Sequence, residues 1–314
     1  MPAAEPTLER LQNPLLRYFL ATRPAFLSVT FIACLIGLAT AYAGGVTINV
    51  PAALATVVFA LVAHAGVNVL NDYYDALNGT DAANTDRLFP FTGGSRFIQN
   101  GVLSKGETAV FGFALFGMVM LAGMWLMSVS ADGLFWVGAA GLFIGWAYSA
   151  PPLKLNSRGV GELCVAAGFL LIAVGADYVQ RRGFSWEPVA ACLPFALLVT
   201  NLLYINQFPD CKADGAAGKR TVIVRLGPAR AAKGYLLIGA AAYGWLLVAV
   251  AAGLLPWPVL AALPPALFTF RAGRVLLRHA AEPAGLLPGI QMTILGAVAH
   301  GTLLAAGLAL GAWL

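Results

Sequence analysis

Nine apolar runs fill most of the chain, at 25–43, 51–70, 109–127, 134–148, 161–176, 188–205, 235–252, 257–270 and 289–313. A water-soluble domain would leave too much of this surface unburied. Only 11% of the 314 residues are charged, against about a quarter in soluble proteins. The mean hydropathy of +0.79 points the same way. The expectation is therefore an all-α, polytopic membrane bundle of about nine transmembrane helices, forming a single domain over 1–314. Several runs are shorter than the roughly 20 residues of a perpendicular span, so their boundaries extend or tilt beyond the apolar core.

The basic residues orient this bundle. With the N-terminus in the cytoplasm, 17 of the 19 Lys and Arg lie on the cytoplasmic side and only Arg181 and Arg182 outside. That bias favours a multi-pass protein of the cell (inner) membrane with its N-terminus in and, for an odd number of spans, its C-terminus out. The net charge of +5 then reads as topology, with no need of nucleic acid as a partner. Residues 1–23 read as an interfacial segment, in which Leu11, Leu15, Leu16, Phe19 and Leu20 form an apolar face beside Arg17. Ala41-Tyr42-Ala43 mimics a signal-peptidase site, but the long run before it is expected to stay as the first span. Cys34, Cys164, Cys192 and Cys211 show no metal spacing, and three of them sit in apolar runs as small fillers.

Two polar stripes close apolar runs. The first is Asn68, Asp72 and Asp75, at i, i+4 and i+7 of a helix, with Asn71 beside them; Asp81 and Asp86 follow the turn at Asn78-Gly79. The second is Asn206, Asp210 and Asp214, at i, i+4 and i+8, though Pro209 would deform a helix there. Polar residues do collect where helices leave a membrane. Like charges at helical spacing repel, however, so two such stripes imply that a cation is expected. A hard ion such as Mg²⁺, bound loosely and completed by substrate phosphates, fits these oxygen-rich clusters. His64, one turn before Asn68, is expected to support the stripe by a hydrogen bond rather than to ligate.

Candidate phosphate-binding groups lie on the same side. Thr92-Gly93-Gly94-Ser95-Arg96 offers amides, a hydroxyl and a guanidinium, although it is also ordinary turn chemistry. Lys154, after Pro151-Pro152, and Arg158 either reach a phosphate or snorkel to headgroups. Lys219 and Arg220 either neutralise a leaving pyrophosphate or obey the charge bias. Glu162 reads as a helix cap, Arg271, Arg274 and Arg278 as a headgroup-binding edge, and His300 as a packed polar group. The segments 72–107 and 206–233 read as cytoplasmic cap loops that carry the motifs.

With these motifs in view, the sequence resembles the UbiA superfamily of intramembrane aromatic prenyltransferases. The resemblance rests on Asn71-Asp72-Tyr73-Tyr74-Asp75 with Asp81, on Asp210 to Asp214 followed by Gly-Lys-Arg-Thr, and on Val224-Arg225-Leu226-Gly227. The run from Gly93 to Gly101, including Gln99, and the Asn-Gln-Phe-Pro-Asp form look like the menaquinone-pathway branch that acts on 1,4-dihydroxy-2-naphthoate. The resemblance implies a central cavity, Mg²⁺ on Asp72, Asp75, Asp210 and Asp214, a polyprenyl diphosphate donor and an aromatic acceptor. Asn68 and Asp81 are further metal-side candidates, although Asp81 lies farther from Asp75 than the tighter third Asp of some members. Asn68, Asn71, Ser95, Arg96, Gln99, Arg158, Asn206, Lys219, Arg220 and Tyr204 are the expected substrate contacts, with Lys154 and Tyr148 as catalytic candidates. Tyr148, Tyr204 and Phe208 would face an allyl cation, each worth about 0.5–2 kcal/mol. Other acceptors remain open, among them 4-hydroxybenzoate, a haem vinyl group and a glyceryl phosphate, as does a cation transporter that uses the same carboxylates.

Overall fold

A computed structural model describes residues 4–313, and residues 1–3 of the expected interfacial segment lie outside it. Among the described residues the chain is helical, with no strand. The helices are α1 (Pro14–Ala21), α2 (Pro24–Ala43), α3 (Val50–Asn78), α4 (Thr80–Ala83), α5 (Lys105–Val129), α6 (Leu134–Ser149), α7 (Gly161–Arg181), α8 (Glu187–Ala216), α9 (Val222–Leu226), α10 (Pro228–Ala251), α11 (Ala266–His279) and α12 (Leu287–Gly311). Eight helical segments are long and apolar enough to cross a membrane, and α6, at 16 residues, is a shorter apolar ninth. The multi-pass bundle is thus present.

Local chemistry sets the ends of these helices. Asn13 accepts hydrogen bonds from the amides of Leu15 and Leu16 and starts α1, whose Leu15, Leu16, Phe19 and Leu20 stay exposed on its outer face. Ser104 and Glu107 form a reciprocal capping box at the head of α5. Proline opens α2, α3, α8 and α10, where a missing amide costs nothing. The run at 257–270 is not one helix. Proline at 258, 264 and 265 breaks it into a 3-10 turn over Trp257–Ala262 and then α11.

Two boundaries move in a way that matters for the site. The second run, expected over 51–70, continues as α3 to Asn78, and the sixth, expected over 188–205, continues as α8 to Ala216. Residues 72–78 and 206–216 are therefore helix rather than cap loop, so both acidic motifs stand on rigid elements. α8 carries Pro194 and Pro209 in its interior without ending.

Packing is tight where small residues let backbones approach. A Cβ on Gly37 of α2 would collide with the Ala173 carbonyl of α7, which is why these two helices can lie so close. The core around Ile36, Ala173, Phe195 and Leu304 ties α2, α7, α8 and α12 together. Trp125, Trp136, Trp186, Trp257 and Trp313 are exposed at the end opposite the acidic motifs, as an interfacial aromatic belt requires. At that same end Asp177 is buried and takes hydrogen bonds from Arg181 at 2.8 Å and from Thr40 at 2.9 Å, which joins α7 to α2.

Candidate active site

The last two turns of α3 and of α8 lie at the same end of the bundle and line the mouth of a cavity of about 830 Å³. Its polar end is lined by Asn68, Asn71, Asp75, Asp81, Asn206, Asp210, Asp214 and Lys219, and its body by apolar side chains of α2, α3, α5, α6, α7 and α8. Lys219 marks where the two motifs converge. Its Nζ lies 2.8 Å from Asp75 Oδ1 and 3.5 Å from Asp214 Oδ1, so a single ammonium bridges both stripes. Burial alone would push this ammonium down, but Asp75 and Asp214 outweigh it and hold it above the usual lysine range.

The loop after α3 folds back over this end. Gly79 takes a positive φ of 82° at the close of α3, which lets the chain reverse into α4 and puts Asp81 on the cavity wall. Burial, reinforced by Asp75 and Asp72, raises the Asp81 carboxyl well above the ordinary range. Gly94 also has a positive φ, 75°, and a Cβ there would strike the Asp81 carboxylate. In this conformation the amide of Ser95 donates to Asp72 Oδ1 at 3.3 Å and that of Gly93 to Asp210 Oδ2 at 3.5 Å. Asn84 Nδ2 donates to the other oxygen of Asp210 at 2.5 Å. One loop therefore touches both motifs.

Several expected contacts are placed elsewhere. Asp72 is buried behind the wall, ion-paired with Arg23, and it is Arg23 that faces the cavity. Arg96 points away from the cavity, because its guanidinium is held by the Asp81 carbonyl and lies 3.8 Å from Glu5. Gln99 stands behind Asp81, donating to its Oδ2 at 3.4 Å. Lys154 is carried by the turn at Pro151 into a small outer groove with Tyr74, Leu77 and Asn78. Arg158 donates to the Pro152 carbonyl at 2.8 Å on the surface, and Arg220 is exposed. Tyr204 is buried with its hydroxyl on the Ala231 carbonyl at 2.8 Å and packs against Phe208, so neither ring lines the cavity. Tyr148 does line it.

Other members of the site escaped the sequence. Arg23 counted there only as a topology charge, Gln207 only as part of the Asn-Gln-Phe-Pro-Asp form, and Asn84 carried no signal at all. Gln207 lines the cavity and donates to Glu162, in the first turn of α7, at 2.9 Å. Asn71 donates to Ser149 at 2.9 Å and to Asp75 at 3.2 Å, fixing the first stripe against α6.

Among the described residues no three His, Cys, Asp or Glu side chains form a ready metal cage. Arg23 and Lys219 stand among the carboxylates instead. The donor set still fits a hard divalent ion. Asp75, Asp81, Asp210 and Asp214 present oxygen only, around a point already stable for a buried positive charge.

The model of the UbiA prenyltransferase family matches residues 30–295. The chain is 31% identical over 249 residues to a 1,4-dihydroxy-2-naphthoate octaprenyltransferase of Mycobacterium tuberculosis, covering 78% of this chain and 81% of that one. It is 27% identical over 313 residues to the enzyme of the same name from Escherichia coli, covering 93% and 94%. The fold is similar to that of a UbiA homolog from Archaeoglobus fulgidus bound to DMAPP and Mg²⁺, with a TM-score of 0.55 and 17% identity over 92% of this chain and 99% of the other.

Proposed function

The chain belongs to the UbiA prenyltransferase family, and from that premise we propose that it transfers a polyprenyl group from a polyprenyl diphosphate to 1,4-dihydroxy-2-naphthoate, a step of menaquinone synthesis. The observation that carries this reading is the ion triad of Asp75, Lys219 and Asp214 at the mouth of a deep apolar cavity. A diphosphate needs the charged mouth, and an isoprenoid needs the apolar body. Both requirements meet in one space.

Asp75, Asp81, Asp210 and Asp214, with Asn68 beside them and Asp72 behind, are the residues that would hold Mg²⁺. The ion, when bound, neutralises the diphosphate and makes pyrophosphate a better leaving group. Lys219 and Arg23 supply fixed positive charge at the same mouth, where it stabilises the charge that develops as the allylic carbon–oxygen bond breaks. Tyr148 and the apolar walls keep water from the allyl cation, and the hydroxylated ring attacks in its place. The naphthoate then leaves its carboxylate as carbon dioxide. The side on which 17 of 19 basic residues gather carries this mouth, which supports an active site on the cytoplasmic face of the cell membrane.

The test is an incubation of purified protein in lipid nanodiscs with octaprenyl diphosphate, Mg²⁺ and a panel of aromatic acids, with products identified by mass. Demethylmenaquinol is expected with the naphthoate, its formation abolished by EDTA and restored by Mg²⁺. Product from another aromatic acid and none from the naphthoate would reassign the acceptor.

A further inference from the structure

Deep in the membrane-spanning part of α3, His64 lines the cavity one turn below Asn68. Two neighbours fix its ring. Phe169 meets it edge-on, with centroids 5.9 Å apart and planes at 90°, and Thr30 Oγ1 lies 2.7 Å from His64 Nδ1. The other nitrogen, Nε2, has no hydrogen-bond partner among the described residues and is not sealed in protein. The contrast with His300 is informative: its Nδ1 is also hydrogen-bonded, at 2.8 Å to the Ala262 carbonyl, but its Nε2 is buried without a partner. His64 therefore presents a polar atom to the space where substrate would lie.

The threonine decides which kind of atom it is. Thr56, Thr108, Thr200 and Thr293 each donate their hydroxyl proton to the carbonyl four residues back in their own helix. Thr30 does not; among the described residues its hydroxyl has one partner, His64 Nδ1, and it is fully buried. If Nδ1 carried the ring proton, the Thr30 hydroxyl would accept it and leave its own hydrogen unpaired in an apolar core, the costlier arrangement. With Thr30 donating, Nδ1 is the acceptor and the ring proton sits on Nε2, pointed at the cavity.

We propose that His64 is a positioning residue for the aromatic acceptor, donating a hydrogen bond from Nε2 to an oxygen of a hydroxylated aromatic acid. This rests on the prenyl-transfer reading and adds to it a place for the second substrate. An oxygen-bearing ring in an apolar cavity needs a donor for its hydroxyl or carboxylate oxygen, since an unpaired oxygen there is costly. A neutral imidazole N–H supplies that donor without adding a charge to the apolar part of the cavity. As the ring attacks the allyl cation, electron density moves off the ring oxygen and the bond from Nε2 weakens, so its contribution is to binding the acceptor and orienting its ring before attack. No proton transfer to His64 is required.

Steady-state kinetics of the full-length protein in nanodiscs, varying each substrate in turn, test this. His64→Leu is expected to raise the KM for 1,4-dihydroxy-2-naphthoate at least tenfold and to leave the KM for octaprenyl diphosphate within twofold. His64→Gln, whose amide can donate from nearly the same position but cannot take a proton at neutral pH, should restore the acceptor KM to within threefold of wild type and keep kcat. Thr30→Val, which removes the hydroxyl while keeping the shape, should raise the acceptor KM severalfold. The proposal is overturned if His64→Leu leaves the acceptor KM unchanged, if it moves both KM values together, or if His64→Gln is as impaired as His64→Leu. Wild-type protein that turns over no hydroxyaromatic acid at all would sink the underlying reading and this proposal together, an outcome distinct from failure of the variants alone.

Discussion

Replacing Lys219 by Met would take away the ammonium that lies between Asp75 and Asp214 and leave two buried carboxylates facing each other. Loss of a preorganised charge that faces a developing anion typically lowers kcat by about 10²–10³-fold. That fall is expected for Lys219→Met in a pyrophosphate-release assay. Lys154→Met and Arg220→Gln should stay within about threefold of wild type, since one side chain lies in an outer groove and the other in solvent. A large loss in either of them would return it to the site. The contrast also explains what the sequence could show. Carboxylates at helical spacing are legible because short side chains on a helix have little choice of direction. Long cations after a turn are not, because backbone geometry decides where they end. Lys154 and Arg96 both adopt positive φ, at 44° and 68°, and both leave the cavity. Arg23, also at positive φ, turns the other way and pairs with Asp72 across 49 positions of chain, a contact that no spacing rule reports.

At the level of elements, hydropathy finds the helices but stops where the lipid stops. The ends of α3 and α8 run on past the apolar cores into the polar mouth, so both motifs are held by helix hydrogen bonds rather than by flexible loops. Pro209 does not end its helix. A proline removes one amide, but α8 packs against α7, α10 and α12 along its length and runs on through Pro209 to Ala216. Helix pairing was not legible, because it depends on small residues whose partners lie far away in sequence. Gly37 makes the point. A side chain there meets the Ala173 carbonyl, a backbone atom that cannot rotate aside, so Gly37→Leu must push α2 away from α7. A loss of about 3 kcal/mol or less is the usual scale for such overpacking. The measurement is thermal unfolding in detergent, where the variant is expected to melt several degrees below wild type. An unchanged midpoint would mean that the two helices are less closely joined than their contact indicates.

Taken as a whole, the molecule places almost all of its cations and both acidic stripes at one end, its tryptophan belt at the other, and a deep apolar cavity between them. Along α3 the cavity wall runs from Asp75 to Thr56, which at 1.5 Å per residue is about 28 Å, close to the hydrocarbon thickness of a bilayer. A prenyl chain whose diphosphate sits at the mouth would follow that wall between α5 and α6. Gly141 of α6 lines it and has no atom within 4 Å of where a Cβ would be, so a larger residue fills cavity rather than displacing a helix. Gly141→Leu should therefore fold normally and discriminate by chain length. Its kcat/KM for octaprenyl diphosphate is expected to fall at least tenfold relative to that for geranyl diphosphate, whose short tail ends nearer the mouth. Gly117→Leu on α5 is the matched control: it too meets nothing within 4 Å, but it lies off the cavity wall, and it should leave that ratio at the wild-type value. A ratio that moves in neither variant would route the tail out of the bundle above Gly141, and one that moves equally in both would trace the effect to the membrane surface of the helices rather than to the cavity they enclose.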